Sequence, residues 1–317
     1  MPRLTVVVPA YNEAAVLEQF HARLGSTLDQ LPLPCDVLYV DDGSSDRTWA
    51  LIEELVARDP RAGGLKLSRN FGKEAALTAG LDHVDADAAV VIDADLQDPP
   101  ELIPALVEQW QAGFDVVYAT RTARAGESGF KRLTASLFYR SMERVSDIQV
   151  PRDTGDFRLL SRRALAALKE LRERQRFMKG LFAWIGYRQT AVYYLREPRQ
   201  AGQTKWNYWR LLQLAIEGIT SFSTAPLRLA TWIGVISSLV AFVYGLWVFG
   251  KAVLFGDPVH GYPSLMVVIL FLGGVQLLAL GVIGEYLGRN YAESKQRPLY
   301  FIEEQRKART QPYDSSH

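Results

Sequence analysis

Three aspartates crowd the end of an apolar run in Val90-Val91-Ile92-Asp93-Ala94-Asp95-Leu96-Gln97-Asp98-Pro99-Pro100. Carboxylates that close repel one another unless a positive charge sits between them. Alternate residues of an extended segment point the same way, so Asp93 and Asp95 would present two oxygen donors on one side. Hard oxygen ligands suit Mg²⁺ or Mn²⁺, ions that often take substrate phosphate oxygens as further ligands. A second acidic pair, Asp41-Asp42, and Glu13 each follow another apolar run. Arg121, Lys131, Arg132, Arg199 and Lys205 are available as positive charges for phosphates. Acids and bases facing one crevice fit a metal–diphosphate complex, in which the cation bridges groups that would otherwise repel. Asp98, beside the two prolines, reads as the cap of a helix.

Other chemistries lack their residues. No Gly-x-x-x-x-Gly-Lys-Ser/Thr loop occurs, and no Gly-x-Gly-x-x-Gly follows the first apolar run. A Gly-x-Ser-x-Gly elbow is also missing. His21, His83, His260 and His317 are scattered, which gives no pattern for zinc or for a histidine triad. The single cysteine, Cys35, excludes an intramolecular disulfide and reads as a small buried residue. A net charge of +1 over 317 residues argues against a nucleic-acid partner.

The elements that must position these groups can be read from periodicity. Short apolar runs at Thr5–Val8, Val37–Val40, Leu65–Leu67, Ala89–Ile92 and Val116–Ala119 alternate with amphipathic stretches at Glu13–Leu31, Asp46–Arg58, Lys73–His83 and Pro99–Trp110. That alternation predicts an α/β domain with a mainly parallel sheet. Ligands of such sheets sit at the carboxyl ends of the strands, where Tyr11-Asn12-Glu13, Asp41-Asp42, Asp93-Ala94-Asp95 and Thr120-Arg121 all fall. Further strands are expected at Asp156–Leu160 and, at an edge, Ala191–Leu195, with a helix starting at Arg162. Phe130–Val145 reads as a basic amphipathic helix, on the domain surface or against an anionic lipid surface.

After residue 205 the character changes. Lys205-Trp206-Asn207-Tyr208-Trp209-Arg210 mixes aromatic and basic residues as a membrane interface does, and residues 205–228 read as an interfacial amphipathic helix. Leu229–Gly250 and Pro263–Gly284 carry no charge, and each has the roughly 20 residues that cross a bilayer as a helix. They predict a transmembrane hairpin over 229–288, with spans at about 229–253 and 263–286. Lysines and arginines gather outside the hairpin, and Lys251 is alone in its connection. The positive-inside rule then puts domain 1–204 and tail 289–317 in the cytoplasm, on an inner (plasma) membrane protein. The N-terminus shows no signal peptide. The polar stretch after about residue 303 is expected to be disordered.

Taken together, Pro9-Ala10-Tyr11-Asn12-Glu13, Asp41-Asp42-Gly43-Ser44, Asp93-Ala94-Asp95-Leu96-Gln97-Asp98-Pro99-Pro100 and Arg199-Gln200-Ala201-Gly202-Gln203-Thr204-Lys205-Trp206 resemble glycosyltransferase family 2. Asp153–Leu160, Arg176–Trp184 and the two C-terminal spans are similar to its polyprenyl-phosphate branch, the dolichol-phosphate mannose synthases and above all the bactoprenol glucosyltransferases. Thr204 departs from the more common serine but keeps the hydroxyl. The resemblance implies a GT-A fold. It implies that Pro9, Tyr11, Glu13 and Asp42 hold base and ribose, and that Asp93, Asp95 and Gln97 hold metal and diphosphate. Arg121, Lys131, Arg132, Arg199 and Lys205 would then meet donor or acceptor phosphate, with Arg199–Trp206 closing as a loop. Asp156, and Asp153 beside it, are candidates at the reacting centre.

The implied reaction carries a sugar, glucose from UDP-glucose in the first reading, to undecaprenyl phosphate with inversion. Other nucleotide donors remain open, among them GDP-mannose, UDP-N-acetylhexosamine and UDP-aminoarabinose. So do a non-catalytic membrane partner role and a homo-oligomer. Gln175-Arg176-Phe177 does not match the Gln-x-x-Arg-Trp of processive synthases.

Overall fold

The computed structural model describes residues 2–121, 154–174, 176–194, 225–255 and 261–309. They divide into two compact units, one built from the N-terminal region together with the described residues from Arg297 on, the other from the described residues between 225 and 296.

The first unit is an eight-stranded sheet with helices on both faces. Its elements are β1 (Leu4–Ala10), α1 (Leu17–Leu28), β2 (Cys35–Asp41), α2 (Thr48–Arg58), β3 (Ala62–Leu67), α3 (Lys73–Asp82), β4 (Ala88–Val91), α4 (Ile103–Gln111), β5 (Val116–Arg121), β6 (Thr154–Ser161), α5 (Arg162–Glu170), α6 (Met178–Trp184) and β7 (Gln189–Tyr194), with β8 (Ile302–Arg306) returning from the far end of the chain. The strand order is β7-β5-β6-β4-β1-β2-β3-β8. The central four, β4-β1-β2-β3, are parallel. Outside them the expected mainly parallel sheet becomes mixed. β6 inserts antiparallel between β4 and β5, and β8 runs antiparallel to β3. Local periodicity marks a strand but not its neighbour, which is why the direction of β6 could not be read in advance.

Every residue of β1 is buried, as a strand covered on both faces requires. On one face Val6 and Val8 join Phe20 and Leu24 of α1, Ile52 of α2 and Leu106 of α4 in the main core. Each such fully buried side chain contributes roughly 1.5–3 kcal/mol. On the other face α3 crosses closely at Gly80, where a Cβ would come within 2.4 Å of Val7 Cγ1. Cys35 is free and buried, as expected.

Two sequence readings are corrected. Of the C-terminal stretch expected to be disordered, the part up to Arg306 instead belongs to β8, held by the backbone ladder and by Lys66–Glu303 (3.1 Å) and Arg306–Glu53 (2.7 Å) ion pairs; residues 310–317 lie outside the described residues. A polar strand at a sheet edge draws on main-chain hydrogen bonds and needs no apolar pattern. Asp98 is buried and accepts a hydrogen bond from the Tyr194 hydroxyl of β7, a different duty from the capping expected of it. The helix it precedes opens with a 3₁₀ turn at Pro100–Leu102 that has no side-chain cap bond from its N-cap residue, Pro99.

The second unit holds α7 (Ala225–Phe255) and α8 (Tyr262–Ser294), which pack against each other. Leu229–Trp247 and Phe271–Ser294 are long and apolar enough to cross a membrane and are almost wholly unburied. Leu229, Trp232, Leu239, Phe242 and Leu277 all stand more than half exposed. Both helices run beyond the expected spans, α8 as far as an i,i+4 pair between Glu285 and Arg289 (3.0 Å) and on to Ser294. The basic helix expected at 130–145 and the interfacial helix expected over 205–228 lie outside the described residues, the second apart from its last turn, which belongs to α7.

Candidate active site

A cavity of about 350 Å³ opens at the carboxyl ends of the parallel strands. Pro9, Tyr11 and Glu13 from the end of β1, Asp42 from just past β2, Asn70 and Gly72 from the β3–α3 connection, Lys73 from the start of α3, and Asp93 and Asp95 from beyond β4 line it. Six of the residues singled out in the sequence thus meet at one place.

The β1 and β2 ends are tied by short-range polar contacts. Asn12 takes a left-handed conformation (φ 56°), which asparagine tolerates. Its amide donates to Ser44 Oγ (2.9 Å), and its Oδ1 accepts from the Ser45 amide (2.9 Å). The Glu13 amide donates to Thr48 Oγ1 (2.9 Å). Tyr11, nearly half exposed, offers a ring at the cavity wall. Gly43 has φ +65°, and a Cβ there would lie 2.4 Å from the Arg69 carbonyl carbon, so only glycine lets the two loops approach. That approach lets Asp42 accept from the amides of Phe71 (2.8 Å) and Gly72 (2.9 Å). Burial raises the Asp42 carboxyl, and these two amides work against it.

The second wall is built differently. β4 ends at Val91, so Asp93 and Asp95 converge through a turn and not, as anticipated, along an extended strand. Leu96 adopts φ 58°, uncommon for a leucine, and the chain folds back so that the Gln97 amide and carboxamide both donate to Asp95. Gln97 itself is buried and does not line the cavity. Continuing the β4–β6 register, in which Val91 faces Arg158, brings Asp93 level with Asp156.

Between those two carboxylates sits Lys73, the first residue of α3. Its ammonium donates to Asp93 Oδ2 (2.7 Å) and Asp156 Oδ2 (2.6 Å). Burial would lower the lysine, but the two carboxylates outweigh it and the net shift is upward, so it stays charged. Burial pushes Asp93 up to about 6 against the pull of Lys73. Burial acts upward on Asp156 too, but Lys73, Lys179 and Arg158 together hold it below the usual range. Arg158 is buried over the Phe182 ring (3.9 Å to the centroid), and burial brings its guanidinium down to about 10, still charged at neutral pH. Burial, then the Asp156 charge, lifts Glu74 to about 7. Asp156 Oδ1 is buried without a hydrogen-bond partner among the described residues.

Lys73, Glu74, Arg158 and Lys179 were not foreseen. Only the lysine could have been, as a charged residue directly after Asn70-Phe71-Gly72 at a strand's carboxyl end. Arg121 closes β5, and its side chain lies outside the described residues, as do Lys131, Arg132, Asp153, Arg199 and Lys205.

A helix-covered α/β sheet with carboxylates gathered at its strand ends, on a chain that also carries a long apolar helical pair, defines the class: an enzyme of the GT-A type. Residues 5–169 match glycosyl transferase family 2, and residues 225–289 match the GtrB C-terminal hairpin. The chain belongs to glycosyl transferase family 2. It is 52% identical to an uncharacterized glycosyltransferase of Synechocystis sp., over 94% of each chain. It is 46% identical to a bactoprenol glucosyl transferase of Shigella phage SfV, over 96% of this chain and 99% of that one. A prophage bactoprenol glucosyl transferase homolog of Escherichia coli is also 46% identical, over 96% and 100%.

Proposed function

We propose that this chain transfers glucose from UDP-glucose to undecaprenyl phosphate at the cytoplasmic face of a membrane, with inversion at the anomeric carbon. The observation that carries the reading is the convergence of Tyr11, Glu13, Asp42, Asp93 and Asp95 on one cavity, with Lys73 linking Asp93 to Asp156. The bactoprenol glucosyl transferase relatives, aligned over nearly the full chain, support the choice of sugar and lipid.

Tyr11, Pro9 and Glu13 form the wall for base and ribose, and Asp42 holds that wall in shape through the Phe71 and Gly72 amides. Asp93 and Asp95 supply two hard oxygen donors, a set that fits Mg²⁺ or Mn²⁺ completed by phosphate and water. Gln97 acts by orienting Asp95. The bound ion would neutralise charge growing on the leaving diphosphate.

The acceptor phosphate, largely ionised near neutral pH, brings its own negative oxygen, so no strong general base is needed. That oxygen bonds to the anomeric carbon as the bond to the β-phosphate breaks, giving lipid-phosphate glucose and UDP. Asp156 Oδ1, buried and open to a donor, suits a sugar hydroxyl. Arg121, Lys131, Arg132, Arg199 and Lys205 are the cations we assign to the phosphates, on sequence grounds. The apolar pair α7–α8 spans the bilayer in this reading, because a polyprenyl tail leaves it only at about 0.8 kcal/mol per CH₂.

The test is transfer by the purified full chain to undecaprenyl phosphate from a panel of labelled UDP- and GDP-sugars, with Mg²⁺, Mn²⁺ or chelator. Glucose transfer from UDP-glucose, lost with chelator, is expected. Transfer of another sugar alone would reassign the donor, and no transfer at all would refute the reading.

A further inference from the structure

The C-terminal segment touches the cavity wall from its outer side. β3 runs into the connection 68–72, which lines the cavity through Asn70 and Gly72 and delivers Lys73. In that connection residues alternate. Asn70 and Gly72 face the cavity, whereas the Phe71 ring meets Phe301 (6.3 Å between centroids) and carries the Arg69 guanidinium (4.0 Å) on its face. The Ser68 amide donates to the Phe301 carbonyl (3.0 Å), one step past the last β3–β8 pair, Leu67 with Ile302. Tyr300 reaches the other end of α3, where its hydroxyl donates to Asp82 Oδ2 (2.9 Å) and its ring approaches His83 (6.4 Å). Two adjacent residues of the tail therefore hold both ends of the piece of chain that bears Lys73.

Core packing does not account for these contacts. Phe301 is 55% exposed, and β8 is polar. An exposed ring placed on Phe71 while Ser68 is pinned restricts the connection without adding much buried surface.

We infer that Tyr300 and Phe301 are positioning residues for the cavity, setting the Ser68–Lys73 wall so that Lys73 and the Phe71 and Gly72 amides meet Asp93, Asp156 and Asp42. The consequence for donor binding rests on the function proposed above; the positioning itself does not.

The test compares the full chain with Phe301→Ala, Tyr300→Phe and, as a control at the far end of the same strand, Arg306→Ala. Hydrogen exchange over residues 68–73 and the steady-state constants for UDP-glucose are measured together. Phe301→Ala is expected to speed exchange of the Ser68, Phe71 and Gly72 amides at least tenfold. It should raise donor KM about five- to tenfold with kcat within about twofold, at a melting temperature close to that of the parent. Tyr300→Phe should do the same more weakly, and Arg306→Ala should leave both readouts within about twofold. Unchanged exchange in Phe301→Ala overturns the inference, as does an equal response in Arg306→Ala, which would reveal a general loosening of the strand. If the parent shows no transfer from UDP-glucose, the proposed function fails while the exchange result still decides the positioning.

Discussion

Asp42 and Asp93 stand on opposite walls of one cavity, each at the end of a parallel strand, and their charges are met in contrasting ways. Asp42 is met by two backbone amides that cannot leave. Asp93 is met by one lysine side chain, which it shares with Asp156. A carboxylate fixed by main chain holds shape, whereas one held by a side-chain ammonium can exchange that partner for another cation. The walls thus separate into a frame on the β1–β2 side and an exchangeable charge cluster on the β4–β6 side.

Removing the shared charge should have the largest effect. Lys73→Met removes the one cation that Asp93 and Asp156 share and leaves only Lys179 and Arg158 to offset Asp156. We expect kcat/KM to fall about 100-fold, the scale of losing one electrostatic contact of a reacting centre. Asp93, at about 6 in the parent, must be ionised to hold a cation, so donor affinity should fall as pH drops below about 6. Without Lys73 the opposing effects of burial and Asp156 are unbalanced, and that break should move to higher pH. A pH profile of metal-dependent UDP binding in both proteins checks the sign; an unmoved break would mean that the lysine does not govern Asp93.

Asp42→Asn addresses the frame. The carboxamide keeps one amide bond and turns N–H toward the other amide, so the wall should loosen while the charge cluster stays intact. Donor KM should rise about tenfold with kcat changed less than threefold, an effect of positioning. A loss mainly in kcat would break the distinction between the walls.

The smallest effect concerns stability. Glu74, at about 7 when folded and about 4.3 when unfolded, binds its proton more tightly in the folded state. Its ionisation therefore costs stability as pH rises between those values. Glu74→Gln should stabilise the protein by about 1–3 kcal/mol at pH 8 and by little at pH 4, read from denaturant unfolding. Equal effects at both pH values would exclude the charge as the cause.

The frame and half of the charge cluster were legible in the sequence. Val-rich runs ending in Tyr11, Asp42 and Asp93 declare both strand and strand end. Lys73 was marked only by its place after a strand's carboxyl end, and nothing local pointed to its partner Asp156, which lies 83 positions away on a strand whose antiparallel insertion no local pattern encodes. β8 was missed for a related reason: Ile302-Glu303-Glu304-Gln305-Arg306 looks like a solvated tail, and its order comes from the β3 edge. Tyr300 and Phe301 carried no mark beyond being aromatic. The hairpin was legible in kind, since absence of charge over a long run needs no partner to be read, although α8 extends through Glu285 and Arg289.

We propose that Asp93 and Asp95 bind the donor through a divalent cation. Equilibrium binding of UDP to the full chain, with Mn²⁺ and with chelator, in the parent and in Asp95→Asn, tests it most directly. Binding at least tenfold tighter with Mn²⁺ is expected in the parent, and no such gain in Asp95→Asn. Binding that is equally tight with chelator, or a full Mn²⁺ gain in Asp95→Asn, would contradict it.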